Sequence, residues 1–204
     1  KVCAGWVTPQ VLAALDIDTA DYARGRVLQP ISGFRTGLIG NQAMDTDYDR
    51  TISYGIRRCE FDHYLLQHAG VPLLLGEPVR SLQRSDYGWR VNDHIETRLL
   101  IGAGGHFCPV AQHLGARTGR DERAVFAQET EFAMSPGQRS ACRAQGERPE
   151  LYFCNDLKGY GWVFRKDDYL NIGLGREDRE QLSSHVDSFI DWLRVEGRIP
   201  PDIP

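Results

Sequence analysis

Three short stretches of the chain carry residue types that could do chemistry. The first is the apolar run Leu99-Leu100-Ile101, which leads into Gly102-Ala103-Gly104-Gly105 and then His106-Phe107-Cys108-Pro109-Val110. Glycines at a strand end let backbone N–H groups approach a ligand closely, as phosphates and flavins require. The spacing is not G-x-G-x-x-G, because Cys108 comes late and is not glycine. A tight turn closing a strand accounts for the same pattern. His106 sits inside this turn, within reach of anything bound there. The second stretch is Arg57-Arg58-Cys59-Glu60-Phe61-Asp62. Two arginines at a helix start oppose the helix dipole, so an anion belongs nearby. Glu60 or Asp62 would meet that need as well as a ligand would. The third stretch is Gly159-Tyr160-Gly161-Trp162-Val163-Phe164. Tyr160, Trp162 and Phe164 share one strand face by the two-residue period. They form either a core stripe or the wall of an apolar pocket.

Other chemistries find little support. His63 and His68 are five residues apart and do not share a helix face. No Ser-His-Asp set or carboxylate pair follows from spacing, so no catalytic residue is assigned. Cys3, Cys59, Cys108, Cys142 and Cys154 are odd in number and irregular in spacing. That argues against a disulfide framework and against zinc, and for free thiols in a reducing, cytoplasmic compartment. The net charge of −4 gives no reason to expect nucleic acid. No apolar run approaches the roughly 18–20 residues of a membrane span.

The elements that must position these stretches can be read from periodicity. Thr8-Pro9 opens a helix, with Thr as cap and Pro at the first turn. Residues 16–21 break it. Residues 26–39 read as one or two strands, 41–50 as a polar loop and 58–69 as a helix that stops at Gly70. A meander covers 78–101, with its last strand running into the glycines. Strands follow at 125–134, 151–154, 161–164 and 169–175, with 135–149 as a polar loop and Lys166-Asp167-Asp168 as a turn. The closing helix, 180–196, turns Leu182, Val186, Phe189, Ile190 and Leu193 to one face. A hydrophobic fraction of 41% and a charged fraction of 25% suit a globular chain with a sizeable core. The order departs from regular strand–helix alternation and suggests two interleaved sheets.

In order along the chain, these stretches resemble the geranylgeranyl-reductase type of FAD-dependent oxidoreductase, within the p-hydroxybenzoate-hydroxylase-like flavoproteins. Tyr54-Gly55-Ile56-Arg57-Arg58-Cys59-Glu60-Phe61-Asp62, the 102–111 segment, and Tyr160-Gly161-Trp162-Val163-Phe164 with Asn171-Ile172-Gly173-Leu174-Gly175 are each similar to a segment of that family. Lys1, Cys3 and Gly5 resemble its Lys-x-Cys-Gly-Gly loop. The resemblance implies an α/β, mixed α+β fold: a partial p-hydroxybenzoate-hydroxylase-like FAD/NAD(P)-binding fold interleaved with an antiparallel substrate sheet. Residues 1–25 and 41–115 would form part of the FAD side, and 26–40 and 116–204 the substrate side.

By the same resemblance, Cys3, Gly5, Arg58, Gly102, Gly104 and Gly105 contact FAD, and Tyr160, Trp162 and Phe164 line the substrate cavity. The three segments together would wall one chamber. NAD(P)H is a possible electron donor, and the partner is an apolar, isoprenoid-like small molecule. Peripheral membrane contact and a homodimer are compatible with that reading. The sequence departs from the family at Ala4 (for Gly), Gly104 (for Asp) and Arg165 (for Pro), the last expected to place charge at the cavity mouth. It also shows no strand–G-x-G-x-x-G–helix start, so weak FAD binding is expected of this chain. The alternative is a non-enzymatic module of the same fold that binds an apolar ligand or a partner.

Overall fold

The computed structural model describes residues 3–116, 125–178 and 181–203. Along the chain the elements are β1 (Trp6–Val7), α1 (Pro9–Ala14), α2 (Thr19–Tyr22), β2 (Leu28–Ile31), β3 (Gly33–Leu38), β4 (Ala43–Asp47), β5 (Ser53–Ile56), α3 (Arg58–His68), β6 (Leu82–Ser85), β7 (Gly88–Val91), β8 (Ile95–Thr97), α4 (Pro109–His113), β9 (Phe126–Ala133), α5 (Pro136–Ala141), β10 (Glu150–Phe153), β11 (Gly159–Lys166), β12 (Tyr169–Arg176) and α6 (Leu182–Val195). They fall into two units, Lys1–Gly70 with Val125–Pro204, and Val71–Ala124.

The first unit is built on a six-stranded sheet in the order β4-β3-β10-β11-β12-β9. Only β3 and β10 run parallel; the other neighbours are antiparallel. One face of this sheet packs on α6. Val163, Leu170, Ile172 and Leu174 meet Val186, Phe189 and Leu193, and all are buried. Each fully buried side chain of this size contributes roughly 1.5–3 kcal/mol, so this layer holds the sheet in register and leaves its opposite face free for a site. A three-stranded sheet, β1-β5-β2, carries a second core of Val7, Leu12, Tyr22, Ile56, Phe61 and Tyr64. The second unit is an antiparallel meander, β6-β7-β8, followed by α4. Its centre is the buried Trp89, with the Arg84 guanidinium 4.0 Å from the ring centroid.

Several elements differ from the periodicity reading. Residues 43–47 form a strand instead of a loop. They pair with β3 at the sheet edge and stay mostly exposed, so burial put no apolar pattern on them. The expected break at 16–21 contains α2, capped by the Asp18 carboxylate, which accepts from the Ala20 and Asp21 amides. The expected loop 135–149 opens with α5. There the Ser135 hydroxyl accepts from the Gln138 amide, and Gln138 reaches back to the Ser135 amide. Thr8 precedes α1 as expected, but its hydroxyl makes no cap bond. Lys166 belongs to β11 and not to the following turn.

Candidate functional site: an aromatic cavity on the sheet

Alternation along β11 sorts its side chains onto two faces. Gly161, Val163 and Arg165 point to the α6 side. There a Cβ at Gly161 would lie 2.6 Å from the Phe189 ring, so only glycine fits. Tyr160, Trp162, Phe164 and Lys166 take the other face. Across the ladder, Trp162 is paired with Gly173 on β12 and Leu151 on β10, and Tyr160 with Gly175 and Phe153. Trp6 of β1 reaches over this face, its ring centroid 6.0 Å from Phe164 and 5.0 Å from Phe34. The result is an apolar cavity of about 220 Å³ lined by Ala4, Trp6, Leu151, Phe153, Tyr160, Trp162 and Phe164. Trp162 and Phe164 are buried at its floor, whereas Tyr160 and Trp6 stay 43% and 47% exposed. The aromatic stripe is therefore a cavity wall and not a closed core. Arg165, expected at the mouth, lies on the opposite face beside Cys142, Arg143 and Asp167, because an odd position cannot share the aromatic face.

Polar side chains brace the cavity from behind. The Trp162 indole N–H donates to Asn171 Oδ1 at 2.8 Å, and Asn171 is fully buried. Glu129 on β9 is half-buried, and its Oε2 has no hydrogen-bond partner. Burial pushes its pKa up, against the opposing effects of the Asn171 amide and Lys166. Lys166 is 1% exposed. Its ammonium donates to the Ala4 and Ile56 carbonyls at 3.0 and 2.9 Å and pairs with Glu131. Glu131 also accepts from Arg57, whose guanidinium lies 3.8 Å from the Tyr169 ring centroid and pairs with Glu60 at 2.7 Å. This chain of charges ties β11 and β9 to the 3–5 loop, β5 and α3.

That loop carries Cys3 and Gly5; Lys1 lies outside the described residues. Gly5 has φ +69°, and a Cβ there would collide with the Ile56 carbonyl and approach Lys166 Nζ to 3.0 Å. Arg58 donates to Asp62 at 2.6 Å, and the Cys3 thiol lies beside it; both hold its pKa up. Each helix-start arginine thus has a carboxylate partner, and Arg58 keeps about a third of its side chain exposed. Cys3, Gly5, Arg58 and the aromatic strand all belong to the first unit.

The glycine turn belongs to the second unit. The strand expected to run into it ends at Thr97, and residues 98–104 have no regular structure. Leu99 and Ile101 are 72% and 76% exposed, so these apolar side chains hold no core position that would fix a strand. Cβ atoms at Gly102 and Gly104 would sit 3.0–3.3 Å from Cys108 and Val110. These two glycines let the chain fold tightly over the start of α4. Gly105 has φ +75° and open space on its side-chain face. The Ala111 and Gly104 amides hold the Cys108 thiol below its usual pKa, against the effect of burial. His106 packs its ring against Phe107.

Sequence reasoning missed Trp6, Leu151 and Phe153 as lining residues, and Lys166, Glu131, Glu129 and Asn171 as the polar brace. For Lys166 and Asn171 the two-residue period was the available signal. The others depend on which strands become neighbours. Among the described residues no group of three or more His, Cys, Asp or Glu could hold a metal ion.

No family model matches the chain. It is 25% identical over 167 residues to a digeranylgeranylglycerophospholipid reductase of Methanococcus vannielii and 24% identical over 169 residues to that of Methanocaldococcus jannaschii. Each match covers 76% of this chain and 42% of the relative. The chain resembles the geranylgeranyl-reductase-type flavoproteins. Among solved structures it superposes on CtdE in complex with FAD with a TM-score of 0.67 at 14% identity, covering 97% of this chain and 57% of that one. On CmlS, a flavin-dependent halogenase, the TM-score is 0.59 at 20% identity, covering 96% and 38%. The fold is therefore a partial flavoprotein fold of mixed α/β class. The matched stretch spans less than half the length of the curated reductases.

Proposed function

We propose that this chain forms the substrate wall and part of the flavin-facing surface of an FAD-dependent oxidoreductase that reduces an apolar, isoprenoid-type substrate. The aromatic cavity carries this reading: Ala4 of the loop that bears Cys3 and Gly5 lines it. The names of the reductase relatives and the FAD-bound neighbour support it. Cys3, Gly5 and Arg58, all in the first unit, would contact the flavin; for Gly102, Gly104 and Gly105 a flavin contact rests on the sequence resemblance alone. The partly exposed Arg58 fits such a ligand. When bound, FAD supplies hydride chemistry, with NAD(P)H as the electron donor. The protein's own part is to bind the apolar chain against Trp162 and Phe164 and to exclude water. The division of labour expected from the sequence, a flavin side of 1–25 and 41–115 and a substrate side of 26–40 and 116–204, belongs to the same proposal, apart from β4, which lies in the six-stranded sheet, and β2, which lies in the three-stranded sheet with β1 and β5.

The test is to titrate the protein with geraniol by calorimetry and with FAD by flavin fluorescence. Geraniol is expected to bind, and Trp162→Leu to weaken it about tenfold, the worth of a lost apolar contact. FAD is expected to bind weakly, and Arg58→Ala to weaken it further. No geraniol binding overturns the substrate side; FAD quenching unchanged by Arg58→Ala overturns the flavin side.

A second reading, a non-enzymatic module for an apolar ligand or partner, is favoured by the exposed Leu74, Leu75, Ile101 and Phe107. Peripheral membrane contact or a homodimer through such residues goes with it. Vesicle flotation and sedimentation check these in turn. A protein that holds geraniol but no flavin supports this second reading. No helix among the described residues is long and apolar enough to cross a membrane. All five thiols are free, which supports a reducing, cytoplasmic setting.

A further inference from the structure

The position of one ring sets the width of the cavity. Trp162 crosses over Gly173, its partner on β12. A Cβ at Gly173 would collide with the indole, 2.6 Å from Cε2, and would lie 2.7 Å from Glu129 Cβ on the far side. The indole is held in that position by its 2.8 Å bond to the buried Asn171. Asn171 is in turn fixed by β12, with its Nδ2 3.5 Å from the Cys3 carbonyl. Gly161 provides a contrast on the same sheet. Its missing side chain makes room for Phe189 on the helix face.

We propose that Gly173 is a specificity-determining residue: by leaving space for the Trp162 indole against β12, it sets the width of the aromatic cavity and the bulk of the substrate admitted. The inference rests on reading that cavity as the substrate site. A side chain at 173 cannot move toward β9, because Glu129 stands there, so the indole must leave the sheet and enter the cavity. The cavity of about 220 Å³ equals about seven water volumes, so one displaced ring removes a large share of it. A bulky ligand then loses its place before a small one does.

Geraniol and the smaller prenol are titrated by calorimetry into the full chain and its variants. Wild type is expected to bind both. Gly173→Ala is expected to weaken geraniol about tenfold and prenol less than about twofold, in line with the worth of single methylenes in apolar pockets. Trp162→Phe combined with Gly173→Ala has a ring too short to meet the added methyl. It is expected to regain geraniol binding to within about threefold of wild type, a gap below 1 kcal/mol. Equal losses for both alcohols, or a double variant no better than the single one, overturn the proposal. Should Gly173→Ala fail to fold, the double variant decides: a folded protein that binds geraniol supports the steric account, and one that does not overturns it. Wild type that binds neither alcohol overturns the cavity reading itself, and this inference falls with it.

Discussion

Lys166 is the charge that the sequence disguised best. It precedes two aspartates, so it reads as part of a turn, yet it closes β11 and is sealed by two carbonyls and Glu131. Removing one member of a buried pair costs about 3–5 kcal/mol, because the other charge is left uncompensated. Lys166→Met should lower stability by that order in urea denaturation, and adding Glu131→Leu should recover much of it. Arg176 offers a second test. It is clamped by Asp156 at 2.7 Å and Asp178 at 2.7 Å. Arg176, with help from the Lys158 amide, holds the Asp156 carboxyl down at about 2. A depressed carboxylate stabilises above its unfolded value of 3.8, and that contribution is lost as pH falls through about 2. Urea midpoints measured from pH 5 to pH 2 should fall less steeply in Asp156→Asn.

At the scale of elements, the legible parts were those with strong period or local chemistry. α3, α6, β9, β11 and β12 all lie where periodicity set them. The α5 signal was present in Ser135 and Gln138 at capping-box spacing, but the glycine and polar residues around it masked it. Ser135→Ala should cost about 1 kcal/mol, the usual worth of such a cap, as a shift in thermal midpoint. β4 left no signal, since an exposed edge strand needs no apolar alternation. Glu129 shows what strand neighbours add. Its raised pKa comes chiefly from burial, with Glu131 adding to it. A carboxyl whose folded pKa lies above 4.5 costs stability once pH rises past that value. Glu129→Gln should therefore stabilise the protein at pH 7, and the gain should vanish below about pH 4. A neutral-pH loss instead would mean that the carboxylate is needed charged.

At the scale of the molecule, the aromatic wall was legible in sequence because one strand holds all three rings. The rest of the cavity was not, because Trp6, Leu151 and Phe153 come from β1 and β10, which only the sheet order brings alongside. That order has a consequence for biosynthesis. β3 ends at Leu38, yet its parallel partner β10 begins at Glu150. At ribosomal rates of about 5–20 residues per second, roughly 6–22 s separate the two strands. Throughout that interval the edge of β3 that later meets β10 stays unmatched, while the polar hairpin mate β4 covers its other edge. Strand 43–47, with its acidic Asp45 and Asp47, is thus suited to guard one side of the growing hairpin, and the side that awaits β10 is where premature association would begin.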